Sequence, residues 1–149
     1  LRQLTRGKNI TVAGIYDPDA VRICAEHRGQ KISLRVGGNF DTLYCQPVAL
    51  QGVPLRVAEN FGLYAATLVL FRTEEFDLIL SSKHIGFTDL EPFHALGIDP
   101  LAQDVIVVKL GYLTPELQSI AAKSCLALTC GCTDEVLQRL PYTYPHDLI

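Results

Sequence analysis

The sequence predicts an α/β fold in which helices flank a mixed β-sheet. In the first half, the apolar runs "YAATLVLFR" and "FDLILSS" are separated only by residues 73–75, a link of hairpin length that favours antiparallel strands. In the second half, the strand pattern "DVIVVKL" is followed by a helix signal and another apolar run, which is typical of a parallel βαβ crossover. The length of 149 residues suits a single domain.

One helix and one strand are predicted before these runs. Asp17 can cap a helix and Pro18 suits its first position, so a helix is predicted over 18–27. "QKISLRV" alternates with period two and predicts a half-buried strand that ends in a turn at Gly37.

The middle of the chain contains strand and helix patterns that glycine and proline interrupt or end. "PVALQGVPLRVAEN" predicts one or two strands interrupted at Gly52 and Pro54, with the proline confining the strand to an edge or a bulge. "DLEPFHALG" predicts a short helix that Gly97 ends.

The last third predicts two more helices and one more strand. Thr114 is expected to cap a helix that begins at Pro115 and runs to about residue 123. "CLALT", residues 125–129, predicts a buried strand, and residues 133–140 predict a terminal helix.

Composition excludes several classes of protein. The formal charge of -3 gives no basic surface for nucleic acid, and no apolar run approaches the roughly 18 residues of a membrane helix. The start of the chain has no hydrophobic core of a signal peptide, so we expect a cytoplasmic protein. The five cysteines are an odd number in a chain too large to be a disulfide scaffold, so we expect most of them to be reduced and buried. The chain begins at Leu1 and has no methionine, from which we expect an upstream portion to be missing.

Lys109 and Gly111 lie where the predicted strand ends and the next helix begins. Beyond the carboxyl ends of strands in open α/β sheets, helix N-termini offer unpaired N–H groups, so Lys109 and this helix would attract an anion. Gly111 would allow a ligand to approach the backbone closely. The plainer interpretation, which spacing alone favours, is a tight turn with Lys109 extended along the surface.

Ser82 and Lys83 form a second candidate, because they follow the apolar strand "FDLIL". If that strand is parallel to the strand before Lys109, both polar segments lie at the same edge of the sheet. Ser82 and Lys83 could then contact a substrate beside Lys109. A solvated loop is the plainer alternative.

The residues by themselves do not predict a catalytic or metal site. Cys130 and Cys132 lack the second pair of ligands that a zinc site needs, and the four histidines are widely spaced. No G-x-S-x-G motif is present. Taken alone, these residues do not describe a complete enzyme.

Most of the chain, from about residue 10 to 145, resembles the C-terminal region of the microcystinase C (MlrC-like) family, which are M81-type metallopeptidases. The segments that carry the resemblance occur in the same order as in that family: "AGIYDPDAV", "ISLRVGG", "FDLILSSKH", "DVIVVKLGYLTPEL" and "AAKSCLALTCGCTDEVLQRLPY". The pairing of "LGIDP" with a lysine-ended strand about ten residues later is the most specific of these features.

Three positions depart from the usual family pattern. Cys130 stands where the family usually has proline, so the family lends no metal role to this thiol. After Lys109 the chain resembles a K-x-G-Y-L branch rather than the K-S-x-x-H-F-R pattern, so the roles of that histidine and arginine are not carried over. The glycine-rich turn after the first helix survives only as Gly29.

The resemblance implies a two-domain bacterial hydrolase that acts on peptide or other amide bonds. Its zinc ligands would belong to an N-terminal domain, so none is expected here and this chain would be inactive alone. The chain would line the substrate cleft, where Lys109, Gly111 and Tyr112, together with Ser82 and Lys83, would hold substrate carboxylates or a developing oxyanion.

Two other functions remain open at this point. The chain could be a stand-alone module that binds a small anion at Lys109, or a structural domain that forms a homodimer. The apolar-rich composition, 48% hydrophobic, gives the second of these weak support.

Overall fold

The computed structural model describes residues 7–39 and 45–127, which form a six-stranded mixed sheet with helices on both faces. The predicted α/β class is confirmed. In chain order the elements are β1 (Ile10–Tyr16), α1 (Pro18–Glu26), β2 (Ile32–Val36), β3 (Val48–Phe61), β4 (Ala66–Arg72), β5 (Asp77–Ser81), α2 (Glu91–Ala95), a 3-10 turn (Pro100–Ala102), β6 (Val105–Val108) and α3 (Pro115–Ile120).

The sheet has the strand order β2-β3-β4-β5-β1-β6. Strands β2 to β5 pair antiparallel, whereas β1 pairs parallel with both β5 and β6. A parallel crossover connects β5 to β6 through α2 and passes over β1. The crossover predicted over 104–129 is not formed within the described residues, because residues 125–127 lie outside any strand. The sequence did not predict β1, the early strand that makes these parallel pairs.

The strand predicted over 125–129 is not formed where it can be observed. Residues 125–127 are exposed and outside any strand, and the rest of that segment lies outside the described residues. The helix predicted over 133–140 also lies outside them.

β3 is one continuous strand, which is the single-strand alternative of the prediction, and it does not break at Gly52. Its residues up to Gly52 pair with β2, and those from Val53 onward pair with β4. A Cβ on Gly52 would lie 2.2 Å from the carbonyl oxygen of Arg72, so only glycine allows this approach. The register shifts between Pro54 and Arg56, which is the bulge that the proline predicted.

Two apolar cores lie on opposite faces of the sheet. On one face, α1 packs through Ala20, Val21 and Cys24 against β2 to β5. On the other face, α2 and α3 pack through Phe93 and Leu117. β4 has buried side chains on both faces, since it lies between the two cores.

α3 is shorter than predicted, because it ends at Ile120 rather than near residue 123. Thr114 occupies the cap position, but its side chain makes no capping hydrogen bond. Instead its hydroxyl donates to the carbonyl of Thr88 at 2.5 Å, which fixes the start of α3 against the loop before α2. No helix among residues 7–39 and 45–127 is long and apolar enough to cross a membrane.

Asp104 joins the starts of β1 and β6. Its carboxylate accepts from the backbone N–H of Asn9 at 2.8 Å and from Lys8 Nζ at 3.1 Å. The hydrogen bond from Asn9, and then that from Lys8, lower the pKa of Asp104 below its usual value.

Replacing Gly52 by alanine should destabilise the fold by about 2 kcal/mol or more, because the new methyl group would collide with backbone atoms that cannot move independently. Urea denaturation of the two proteins measures this difference. Gly86→Ala is the matched control, since a Cβ there meets only the Thr88 methyl at 3.2 Å. Equal midpoints for Gly52→Ala and Gly86→Ala would contradict the assigned close approach.

Asp104→Asn should lower stability at neutral pH but not in strong acid. The ionised carboxylate stabilises the fold above the unfolded-state pKa of about 3.9, and this contribution is lost as pH falls through the lower folded-state pKa. Denaturation midpoints of the parent and the variant should therefore converge as the pH falls through the lowered folded-state pKa of Asp104. A constant gap between them at all pH values would show that ionisation is not involved.

Candidate functional site

The parallel strands β5, β1 and β6 all end at one edge of the sheet, here called the carboxyl edge. Strands that run in the same direction end on the same side, so the segments after Tyr16, Ser81 and Val108 extend beyond this edge. Ser82 and Lys83 can lie at the same edge as Lys109 only if β5 and β6 are parallel. Both strands run parallel to β1, so this condition is met. Lys83 and Lys109, which follow these strands, therefore lie at the same edge.

A bulge in β1 positions Lys109. Gly14 has a φ of +90°, and β1 shifts register with β5 between Val12 and Ile15. A Cβ on Gly14 would lie 3.4 Å from Lys109 Cβ, and the Lys109 N–H donates to the carbonyl of Ala13 at 3.3 Å. The backbone of Lys109 is thus fixed against β1, and the residue is exposed.

Asp17 holds three segments of the carboxyl edge together. Its carboxylate accepts from the N–H of Ala20, which caps α1, and from the N–H of Gly37 after β2, both at 3.0 Å. Its own N–H donates to the carbonyl of Ser81 at 2.9 Å. This buried carboxylate therefore acts as a structural link at the edge.

Ser82 and Lys83 differ in the exposure and in the hydrogen bonds of their side chains. The Ser82 hydroxyl accepts from the N–H of Thr67 at 2.8 Å, and the Ser82 N–H donates to the Thr67 carbonyl at 3.0 Å, so Ser82 extends the pairing of β4 with β5. Lys83 is exposed, and its carbonyl accepts from the Ser81 hydroxyl at 2.6 Å. Lys83 has the more accessible side chain of the two.

The chain bends at Gly111 and Tyr112, and the Tyr112 side chain is 72% exposed. The helix that follows contributes less to an anion site than the sequence suggested. Pro115 has no N–H at the first position, and Glu116 places a carboxylate in the first turn, where it accepts from the N–H of Leu90 at 3.1 Å. Lys109 therefore attracts anions more strongly than the N-terminus of α3 does.

Tyr16 and His84 form an aromatic pair at the carboxyl edge that was not predicted from the sequence. The rings of Tyr16 and His84 are 6.3 Å apart and meet edge to face at 75°. Asn39 Nδ2 donates to the Tyr16 carbonyl at 3.2 Å. The alternating run "ITVAGIY" was the available signal, because it marks Tyr16 as the end of a strand.

The described residues contain no group of three or more histidine, cysteine or acidic side chains that could hold a metal ion. Cys24 is fully buried, and burial, followed by the charge of Asp17, raises the pKa of its thiol to about 11. Such a thiol is a packing group rather than a nucleophile. Cys45 and Cys125 are exposed, so the expected burial holds only for Cys24 among the described cysteines, and Cys130 and Cys132 lie outside the described residues.

The fold defines an α/β domain with lysine side chains in the segments that follow its parallel strands. A family model described as "MlrC C-terminus" matches residues 1–144. The chain belongs to this family, as the resemblance in the sequence predicted.

The chain is also similar to a crystal structure from Mesorhizobium sp. BNC1 that is described as a "Putative metallopeptidase". The TM-score is 0.74 at 21% identity, a likeness that shows the fold alone. The match covers 98% of this chain and 33% of that one, so the chain spans about a third of the length of the structure it resembles. No curated protein matches the chain.

Asp17→Ala should destabilise the protein by about 2 kcal/mol, because it removes the α1 cap and leaves the Gly37 N–H without its acceptor. Chemical denaturation measures the loss. Asp19→Ala is the matched control: Asp19 is exposed in the first turn of α1, so its removal should cost less than about 1 kcal/mol. If the two variants lose equal stability, Asp17 does not link the edge as assigned.

Proposed function

We propose that this chain is the substrate-lining domain of a metallohydrolase that cleaves peptide or other amide bonds. Membership of the MlrC C-terminus family supports this proposal. The described metallopeptidase from Mesorhizobium also supports it, because most of that protein lies outside the matching region and leaves room for a companion domain.

In this proposal the companion domain is N-terminal to the chain and carries a zinc ion. The described residues do not fit a metal site, so no catalytic step is assigned to this chain. Zinc in the companion domain would activate water and polarise the amide carbonyl. This chain contributes binding and orientation of the substrate.

The observation that carries the proposal is the convergence of two lysine-bearing segments at the carboxyl edge. Lys109 follows β6 and Lys83 follows β5, while the exposed Tyr112 adds a hydroxyl donor to the same seam. Lysine ammonium groups attract carboxylates, and a tyrosine hydroxyl can donate to an oxyanion. Gly111 lets the substrate approach the backbone, and the Ser82 hydroxyl retains a proton to donate.

The bacterial origin and cytoplasmic location expected from the sequence belong to the same proposal. Cys24, Cys45 and Cys125 are free thiols in the structure, which suits a reducing compartment.

The two alternative functions receive less support. A stand-alone anion module would rely on the N-terminus of α3, which is short and carries Glu116 in its first turn. A structural or homodimeric role leaves the two lysine segments at the carboxyl edge unexplained.

In the complete protein with its companion domain, Lys109→Ala should raise KM about tenfold for an amide substrate that carries a free carboxylate, because one charge-assisted contact is lost. The same substrate with its carboxylate amidated should be much less affected. Steady-state kinetics with both substrates measures the difference, and bound metal per chain should be unchanged.

Lys31→Ala is the control, because Lys31 is an exposed lysine whose ion pair with Glu74 lies near the β4–β5 link, away from the carboxyl edge. Equal KM values for the parent and Lys109→Ala with the acidic substrate would remove Lys109 from the site. Amide hydrolysis by the 149-residue chain alone would overturn the whole proposal.

A further inference from the structure

The last strand of the sheet, β6, exposes two apolar side chains. Val105 is 44% exposed and Val107 is 48% exposed. Ile106 and Val108, which alternate with them, pack against the core beneath α2 and α3. Since successive side chains of a strand point to opposite faces, Val105 and Val107 lie on the face that α1 covers elsewhere.

The neighbouring strand extends this apolar surface. Ile10 is the register partner of Val105, and Val12 is the register partner of Val107. Val12 packs at the margin of the core beneath α1, which confirms the face. We call these four residues the β1–β6 strip.

The described helices leave the β6 side of the β1–β6 strip, Val105 and Val107, exposed. α1 packs against β2 to β5, on the far side of β1. α2 and α3 have their buried residues, Phe93 and Leu117, in the core of the opposite face. Among residues 7–39 and 45–127, no helix therefore covers the β6 side of the strip, although side chains are buried on both faces of β4.

We propose that the β1–β6 strip is the docking surface for residues 133–140 of this same chain. This segment, "TDEVLQRL", has Val136, Leu137 and Leu140 at spacings that place them on one side of a helix. Asp134, Glu135 and Arg139 fall at the other positions and would remain in water. An apolar face of this kind needs an apolar surface, and the strip offers one on the sheet that the segment follows.

The connection is long enough for this docking. α3 ends at Ile120 on the opposite face, and residues 121–127 are exposed as the chain leaves it. Residues 121–132 can span up to roughly 40 Å when extended. To reach the strip, the chain must pass around the outer side of β6, from the helix layer on one face of the sheet to the helix layer on the other face. The distance between the centres of these two layers is about 20 Å. The experiments below distinguish docking of this segment from docking of a second copy of the chain.

Hydrogen exchange of the 149-residue chain tests the proposal first. The amides of 133–140 should be protected, and Val107→Asp should reduce their protection about tenfold or more, because a charge is placed under the docked segment. Val107→Thr keeps the shape of the side chain and should give a smaller loss in the same amides, which covers the case in which the aspartate variant fails to fold. Leu63→Asp is the matched control, since Leu63 is fully exposed in the β3–β4 connection and should leave 133–140 unchanged.

Photo-cross-linking identifies what lies on the strip. A benzoylphenylalanine at position 107 should cross-link within one chain to a peptide from 133–140, as read by mass spectrometry. Cross-links between two chains would overturn the proposal in favour of a dimer. Exchange of 133–140 at unprotected rates, or protection that neither Val107 variant changes, would also overturn it.

Discussion

The carboxylate of Asp17 is the constraint on which the carboxyl edge of this domain depends. It accepts hydrogen bonds from the first turn of α1 and from Gly37 after β2, while the Asp17 N–H bonds to the end of β5. These contacts hold the ends of two strands and the start of a helix at one point. A buried carboxylate is stable there because backbone donors replace the water that it has lost. Without this carboxylate, the segment after β2 would lose its hydrogen bond to the start of α1.

The central position of β1 gives that edge its composition. β1 lies between β5 and β6 and runs parallel to both, so the segments that follow the three strands emerge side by side. Lys83 and Lys109 are far apart in the sequence, and this pairing brings them to a single edge. In the proposed function, the domain then offers cations to a substrate that a companion domain cleaves. In that proposal, the groups that bind the substrate and the ligands that hold the metal lie on two different domains.

The fold could be predicted in outline because local signals were strong. Asp17 and Pro18 marked the start of α1, and the link of residues 73–75 marked the antiparallel pair of β4 and β5. The candidate-site residues could be named because polar residues followed apolar strands. The errors arose where tertiary contacts override local preference. Gly52 suggested a break but instead allows β3 to pass close to Arg72, and the Thr114 hydroxyl bonds to Thr88 rather than capping α3.

The sequence by itself determined the class of fold, the positions of α1 and of the antiparallel strands, and the family to which the chain belongs, because these depend on periodicity, caps and motifs within short segments. Only the tertiary structure decided which strands are neighbours, and therefore that Lys83 and Lys109 lie at the same edge. It also decided that Ser82 extends the pairing of β4 with β5 and that the Glu116 carboxylate accepts from the N–H of Leu90. The physical reason is that strand order arises from packing between distant segments, which no local pattern encodes.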